Sequence, residues 1–290
     1  MIAQGTIRAC CAALGKLALA SAAFALLAGC GNSQSREETA TSGALAFDGA
    51  IGWAAATKGG RGGEIIRVTN LDADGEGSFK AALQAEGPRI IVFEVGGVID
   101  LDSTTLKISE PFVTIAGQTA PSPGITLIQG GITIATHDVI MQHIRIRSGQ
   151  GDHPDRSGYD VDNISTQAGA YNVIVDHCSL TWSTDENLSA SGPRFTGDSP
   201  DDWREGTSHR ITYSNNIIAE GLAYASHAKG EHSKGSLIHD NVSDILLYGN
   251  LYAHNYERSP LFKGGVRGAI INNFIYNPGA RAIHYNLQGL

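Results

Sequence analysis

Residues 140–147 read IMQHIRIR, and variants of that phrase return as VIVDHCSL at 173–180, ITYSNNII at 211–218, LLYGNLY at 246–252 and IINNFIY at 270–276. Aligning Ile144, Cys178, Asn216, Asn250 and Asn273 gives steps of 34, 38, 34 and 23 residues. One strand phrase per ~20–50 residues marks a solenoid, in which each repeat stacks on the one before. Unequal steps mean loops of different length hung on a constant core. Asn at the same place in three successive copies fits a stacked turn whose amides bond one another. A β-sandwich would alternate more cleanly and join its strands through two-residue hairpins. No Asn-Gly or Asp-Gly pair lies between the adjacent strand runs here. The expected fold is all-β, a parallel β-helix.

Working outward, further β-type runs lie at 90–95, 112–116, 125–128 and 132–134, punctuated by Gly, Asn, Asp and Ser. The composition agrees. Gly supplies 36 of 290 residues and charged residues only 17%, against a usual ~25% charged. The net charge of −8 and the lack of any basic run exclude a strongly basic nucleic-acid binder. One segment reads as a helix, 78–86, with Ser78 as its cap and Gly87-Pro88 as its stop. In a β-helix it would cover the open first coil, whose strand edges otherwise invite aggregation. The chain ends soon after Asn273 without an obvious cap, so C-terminal coils are expected to be missing.

The N-terminus reads as an export signal, with Arg8 and Lys16 ahead of an apolar run ending in Leu27-Ala28-Gly29-Cys30. The run is too short for a membrane span, which needs ~20 residues. Leu-Ala-Gly-Cys is similar to a bacterial lipobox. The expected organisation is a signal peptide at 1–29, a flexible tether at 30–46 that begins with a lipid-modified Cys30, and a β-helix domain at 47–290. Export across the inner membrane to the cell envelope, and a monomeric state, are expected. Cys178 stands alone in the body and is expected to be a small buried hydrophobe.

With the repeats in place, the chain resembles a pectate lyase of polysaccharide lyase family one, in its bacterial secreted branch. The segment ATKGGRGGEIIRVTNLDADGEGSFKAALQAEGPRIIVFEVGGVIDL is similar to the family's N-terminal stretch, and IAGQTAPSPGITL follows it in order. VIVDHCSLTWSTDENLS resembles the family's Ile-Asp-His signature, HSKGSLI at 232–238 a further motif, and ERSPLFKGG its Arg-x-Pro-x-x-Arg motif. The resemblance implies a right-handed β-helix, Ca²⁺ as cofactor, and β-elimination of polygalacturonate, an acidic polysaccharide. It implies Arg258 as catalytic base, and Lys234 and Lys263 as substrate-binding residues. Lys263 stands where the motif has its second Arg, so positive charge is kept and bidentate geometry is lost. It implies Asp162 and Asp185 as calcium ligands. The third ligand position is Ser189 here, so Glu186 or Asp160 would complete the set.

That chemistry needs those residue types. An acidic chain repels a polyanion unless local cations line the cleft. Calcium prefers six to eight hard oxygen ligands and can bridge protein and sugar carboxylates. Removing the C5 proton puts negative charge on the neighbouring carboxylate, where cations stabilise it. An Arg base is ordinarily protonated, so the mechanism implies an alkaline optimum. His177 is expected in a structural hydrogen-bond network, and Trp182 and Trp203 either stack on sugars or pack. The alternatives are a calcium-independent pectin lyase, a β-helix hydrolase with paired carboxylates, and a non-catalytic pectin-binding protein.

Overall fold

The computed structural model, which describes residues 44–286, breaks each repeated phrase in two. Val139–Gln142 and Arg145–Arg147 are separate strands, as are Tyr171–Asp176 and Ser179–Thr181, His209–Ser214 and Ile217–Ala219, Ser243–Tyr248 and Leu251–Ala253, and Gly268–Ile271 and Phe274–Tyr276. The first of the two residues between them is left-handed in every coil: His143, His177, Asn215, Gly249 and Asn272 have φ of 56°, 52°, 55°, 65° and 54°. One residue of opposite hand turns an extended chain through a corner without a loop. The aligned positions Ile144, Cys178, Asn216, Asn250 and Asn273 are therefore corners, where a single continuous run was expected.

Each coil passes through three parallel sheets of eight, seven and seven strands. The two halves of each phrase lie in the first and second sheets. The third sheet holds short strands such as Leu106–Ile108, Ile132–Ile134, Ile164–Thr166, Leu188–Ala190, Leu237–Ile238 and Leu261–Lys263. Coils stack in register, Val139 on Val173, Val173 on Ile211, and Ile211 on Ile245. These four are fully buried, so like aliphatics form columns down the interior. The architecture is a right-handed parallel β-helix, as expected.

The asparagine stack is present. Asn216 Nδ2 donates to Asn250 Oδ1 at 3.0 Å, and Asn250 Nδ2 to Asn273 Oδ1 at 2.9 Å. Each Oδ1 also accepts the backbone N–H one coil back, and the row ends where Cys178 N donates to Asn216 Oδ1 at 2.8 Å. Cys178 is buried and unpaired. His177 Nδ1 donates to Asp176, which also accepts from Gln142, Ser214 and Asn215, the structural network expected of it.

The helix runs Phe79–Gln84, with the Ser78 hydroxyl accepting from Ala81 N–H at 3.2 Å. Its buried residues Phe79, Ala82 and Leu83 face the first coil, and it packs on Glu64–Val68 and Leu106–Ile108. The fully buried Arg89 donates to the Ala82 and Leu83 carbonyls and so caps the helix at its other end. Residues 47–60 carry no strand. They form a strap across the outer face of the first sheet, where Thr212 Oγ1 donates to Ile51 O and Thr57 Oγ1 to Asn172 O. The strap covers the outward Ile140, Thr212 and Leu246, which are buried.

The corners from third sheet to first are four residues long at 109–112, 135–138, 167–170, 239–242 and 264–267. The exception is 191–208, which carries the helix Pro200–Gly206 behind a Ser199–Asp202 capping box. The signal peptide, Cys30 and residues 30–43 of the tether lie outside the described residues. Among the described residues no helix is long and apolar enough to cross a membrane.

Candidate active site

All the expected site residues but Lys263, which ends the strand Leu261–Lys263, sit at the ends of the loops that enter the third sheet, on successive coils. Asp162 precedes Ile164–Thr166, Asp185 and Glu186 precede Leu188–Ala190, Lys234 precedes Leu237–Ile238, and Arg258 precedes Leu261–Lys263. Parallel bridges from Glu186 to Lys234 and from Lys234 to Glu257 extend the sheet through these loop ends. A second amide stack, absent from the sequence reading, fixes them. Asn163 Nδ2 donates to Asn187 Oδ1 at 2.8 Å, Asn187 Nδ2 to Asn255 Oδ1 at 3.1 Å, and Asn255 Nδ2 to Ile218 O at 2.9 Å. All three are fully buried or nearly so. Asp162 and Glu186 each stand one residue before a member of the stack, so their backbones are held by the same bonds. The only trace in the sequence is the acid-Asn pair at 162–163 and 186–187, too short a signal to find alone.

Carboxylate oxygens of Asp162, Asp185 and Glu186 lie within 4.8 Å of one another. Asp160, the alternative third acid, is outside that group. Asp162 accepts the Glu186 N–H at 2.8 Å and the Ser189 hydroxyl. Ser189 thus holds a carboxylate in place. Burial, and the Asp185 charge beside it, push the Asp162 carboxyl well above the ordinary carboxylate range. Burial pushes Asp185 the same way, but the hydrogen bond and charge of His232 outweigh it and hold Asp185 low. His232 Nε2 is 2.6 Å from Asp185 Oδ1, and the His227 ring stacks on His232 at 3.7 Å between centroids. His227 lies outside every motif quoted above.

The cations are placed unequally. Arg258 pairs with Glu186, has a left-handed backbone with φ of 61°, and lines a cleft of about 450 Å³ together with the three acids. Burial lowers its guanidinium from the usual value, against an upward pull from Asp185 and Asp162. Lys263 lines the same cleft, with Nζ 3.5 Å from Asp240 Oδ2. Lys234 does not. Its side chain is 6% exposed and Nζ donates to Glu257 Oε1 at 2.6 Å. A lysine placed behind the cleft wall satisfies its charge locally, so Lys234 is a partner of Glu257 in this structure. Burial would raise Glu257, but Lys234 holds it below its ordinary value. Glu257 stands beside Arg258 in the motif and was not singled out. Trp182 donates to Glu220, Trp203 packs edge-on to Phe195, and neither lines the cleft.

A β-helix that carries clustered carboxylates and an Arg on one face has close relatives in sequence. No family model matches the chain. It is 38% identical over 240 residues to a probable pectate lyase C of Emericella nidulans, covering 82% of this chain and 49% of that protein. It is 41% identical over 237 residues to a probable pectate lyase C of Aspergillus terreus, covering 81% and 48%. The chain is similar to pectate lyases. It spans about half the length of these curated relatives. They are fungal proteins, not members of the bacterial branch expected from the sequence. Among solved structures, the cedar pollen allergen Jun a 1 matches at a TM-score of 0.57 and 19% identity, covering 81% of this chain and 67% of that one. A mutant Bacillus subtilis pectate lyase matches at 0.54 and 16%, covering 83% and 79%. These two structural likenesses bear on the fold.

Proposed function

We propose that this chain is a calcium-dependent pectate lyase that cleaves polygalacturonate by β-elimination. The observation that carries the reading is the grouping of Asp162, Asp185 and Glu186 with Arg258 around one cleft, in a chain similar to pectate lyases. The three acids suit calcium. They are hard oxygen donors, and their oxygens lie within 4.8 Å of one another, close enough for one from each to reach an ion bound at ~2.4 Å. Burial raises Asp162 first and the Asp185 charge adds to it, and a cation among the acids would favour the charged form. Calcium, when bound, would draw in a sugar carboxylate and favour negative charge on it as the C5 proton leaves.

The remaining work falls to the chain's own residues. Arg258 takes the C5 proton, the C4–C5 double bond forms as the C4–O glycosidic bond breaks, and the leaving oxygen takes a proton from water. Burial of Arg258 favours the neutral guanidine, the Asp185 and Asp162 charges oppose this, and Glu186 pairs with it. Lys263 holds a substrate carboxylate at the end of the cleft. Lys234 acts through Glu257, fixing the turn from which Arg258 projects. Export and lipidation at Cys30 belong to the same reading and rest on the sequence of residues 1–30.

The test is polygalacturonate incubated with the protein, with calcium and with chelator, followed by the ultraviolet absorbance of the unsaturated uronate product. Calcium-dependent absorbance is expected. Absorbance that survives chelation would favour pectin lyase, and binding without absorbance a non-catalytic pectin-binding protein.

A further inference from the structure

The corner 191–208 is long where five equivalent corners need four residues. The insertion is knitted together: Trp203 Nε1 donates to Gly197 O at 3.1 Å and the Ser199–Asp202 box caps its helix. Arg194 also ties it to the next coil. Asn241 Nδ2 donates to Arg194 O at 2.5 Å, and Arg194 Nε lies 3.9 Å from Asp240 Oδ2. The backbone of Arg194 is held by Asn241, and its side chain lies beside Asp240. The same Asp240 oxygen lies 3.5 Å from Lys263 Nζ. Asp240 is 5% exposed at its side chain, whereas Arg194 keeps 46% and Lys263 29% exposed. Among the described residues, these two cations of the cleft lining share one buried carboxylate, an excess of one positive charge. His239, 2.8 Å from Asp240, does not add a further charge, because burial and these two cations drive its pKa down.

We propose that Arg194 is a specificity-determining receptor for a sugar carboxylate, presented with Lys263 on a pedestal of Asp240 by the 191–208 insertion. The proposal rests on the reading of the cleft as a site for an acidic polysaccharide. A guanidinium offers the planar, two-pronged donor that Lys263 lacks, so the bidentate grip missing from the Lys263 position is supplied from another coil. Asp240 is a positioning residue. It draws both side chains to one buried carboxylate and offsets their mutual repulsion.

The experiment compares wild type, Arg194→Gln and Arg194→Lys for KM and kcat on polygalacturonate, with thermal unfolding as a control. Arg194→Gln is expected to raise KM about 10-fold, the range for one charge-assisted carboxylate contact. It is expected to change kcat less than twofold and leave the melting temperature unmoved. Arg194→Lys should recover part of the loss. An unchanged KM, or a fall in kcat that tracks a fall in stability, overturns the proposal. If the wild type shows no turnover, the activity reading fails on its own. Calorimetric titration with trigalacturonate then decides: about 10-fold weaker binding by Arg194→Gln supports the receptor, and equal affinities or no binding by wild type overturn it.

Discussion

Glu186 Oε1 is paired with Arg258 in this structure, and the Glu186 carboxylate also belongs to the group of acids that fits a cation. One carboxylate cannot serve both at full strength. Cation binding and release of Arg258 are therefore coupled, and the coupling runs in the direction a base requires. Losing the Glu186 charge favours the neutral guanidine. Wild-type log kcat/KM should then climb by about one unit per pH unit between pH ~7 and ~9, because the neutral fraction of a group with so high a pKa rises tenfold per unit. A flat profile across that range would remove Arg258 from the role. Arg258→Lys should retain the fold and lose at least ~100-fold in kcat/KM, the usual weight of a positioned base.

Elements hold these residues through two amide stacks. Asn250 sits mid-row in the corner stack, donating to Asn273 and to Tyr213 O and accepting from Asn216. Asn250→Ala leaves buried donors and acceptors open on both neighbouring coils. It should lower stability by about 2 kcal/mol in denaturant titration, with little effect on kcat if the corner is remote from the chemistry. The entry to the third sheet is less forgiving. A Cβ on Gly131 would lie 1.9 Å from Asp162 O, and backbone cannot yield as a flexible side chain does. Gly131→Ala should displace Asp162 and raise the calcium concentration for half-maximal activity about 10-fold or more. An unchanged calcium requirement would show that Asp162 is not a ligand.

At the scale of the whole molecule, the two aspartates set opposite pH windows. Asp162 is raised in the fold, so the folded chain holds its proton longer than the unfolded one, and stability falls as pH rises above the ordinary carboxylate range. Asp185 is lowered, so the stability it contributes is present above that range and lost as pH falls below it. In chelator the melting temperature should therefore decline from pH ~5 towards pH ~7, by about 2–4 °C per kcal/mol lost. Calcium should reverse the decline, because a cation among the acids favours their charged forms and stabilises only the folded state. Equal melting curves with calcium and chelator at pH ~7 would count against a cation at this cluster.

The repeat phrases, the stacked asparagines and the capping helix were legible in the sequence, because a solenoid writes the same local environment once per coil and the residues recur with it. Asp162, Asp185, Glu186, Arg258 and Lys263 could be named because they fall in or beside motifs, and the fold brings all five to one cleft. The third sheet was mostly illegible, since strands such as Leu237–Ile238 are too short to show a period. The burial of Lys234 behind Glu257, the second amide stack and the place of Arg194 were decided by tertiary structure alone. Each depends on which residues of neighbouring coils come into register, and loops of 3 to 17 residues into the third sheet and corners of 4 or 18 out of it hide that register from any reading along the chain.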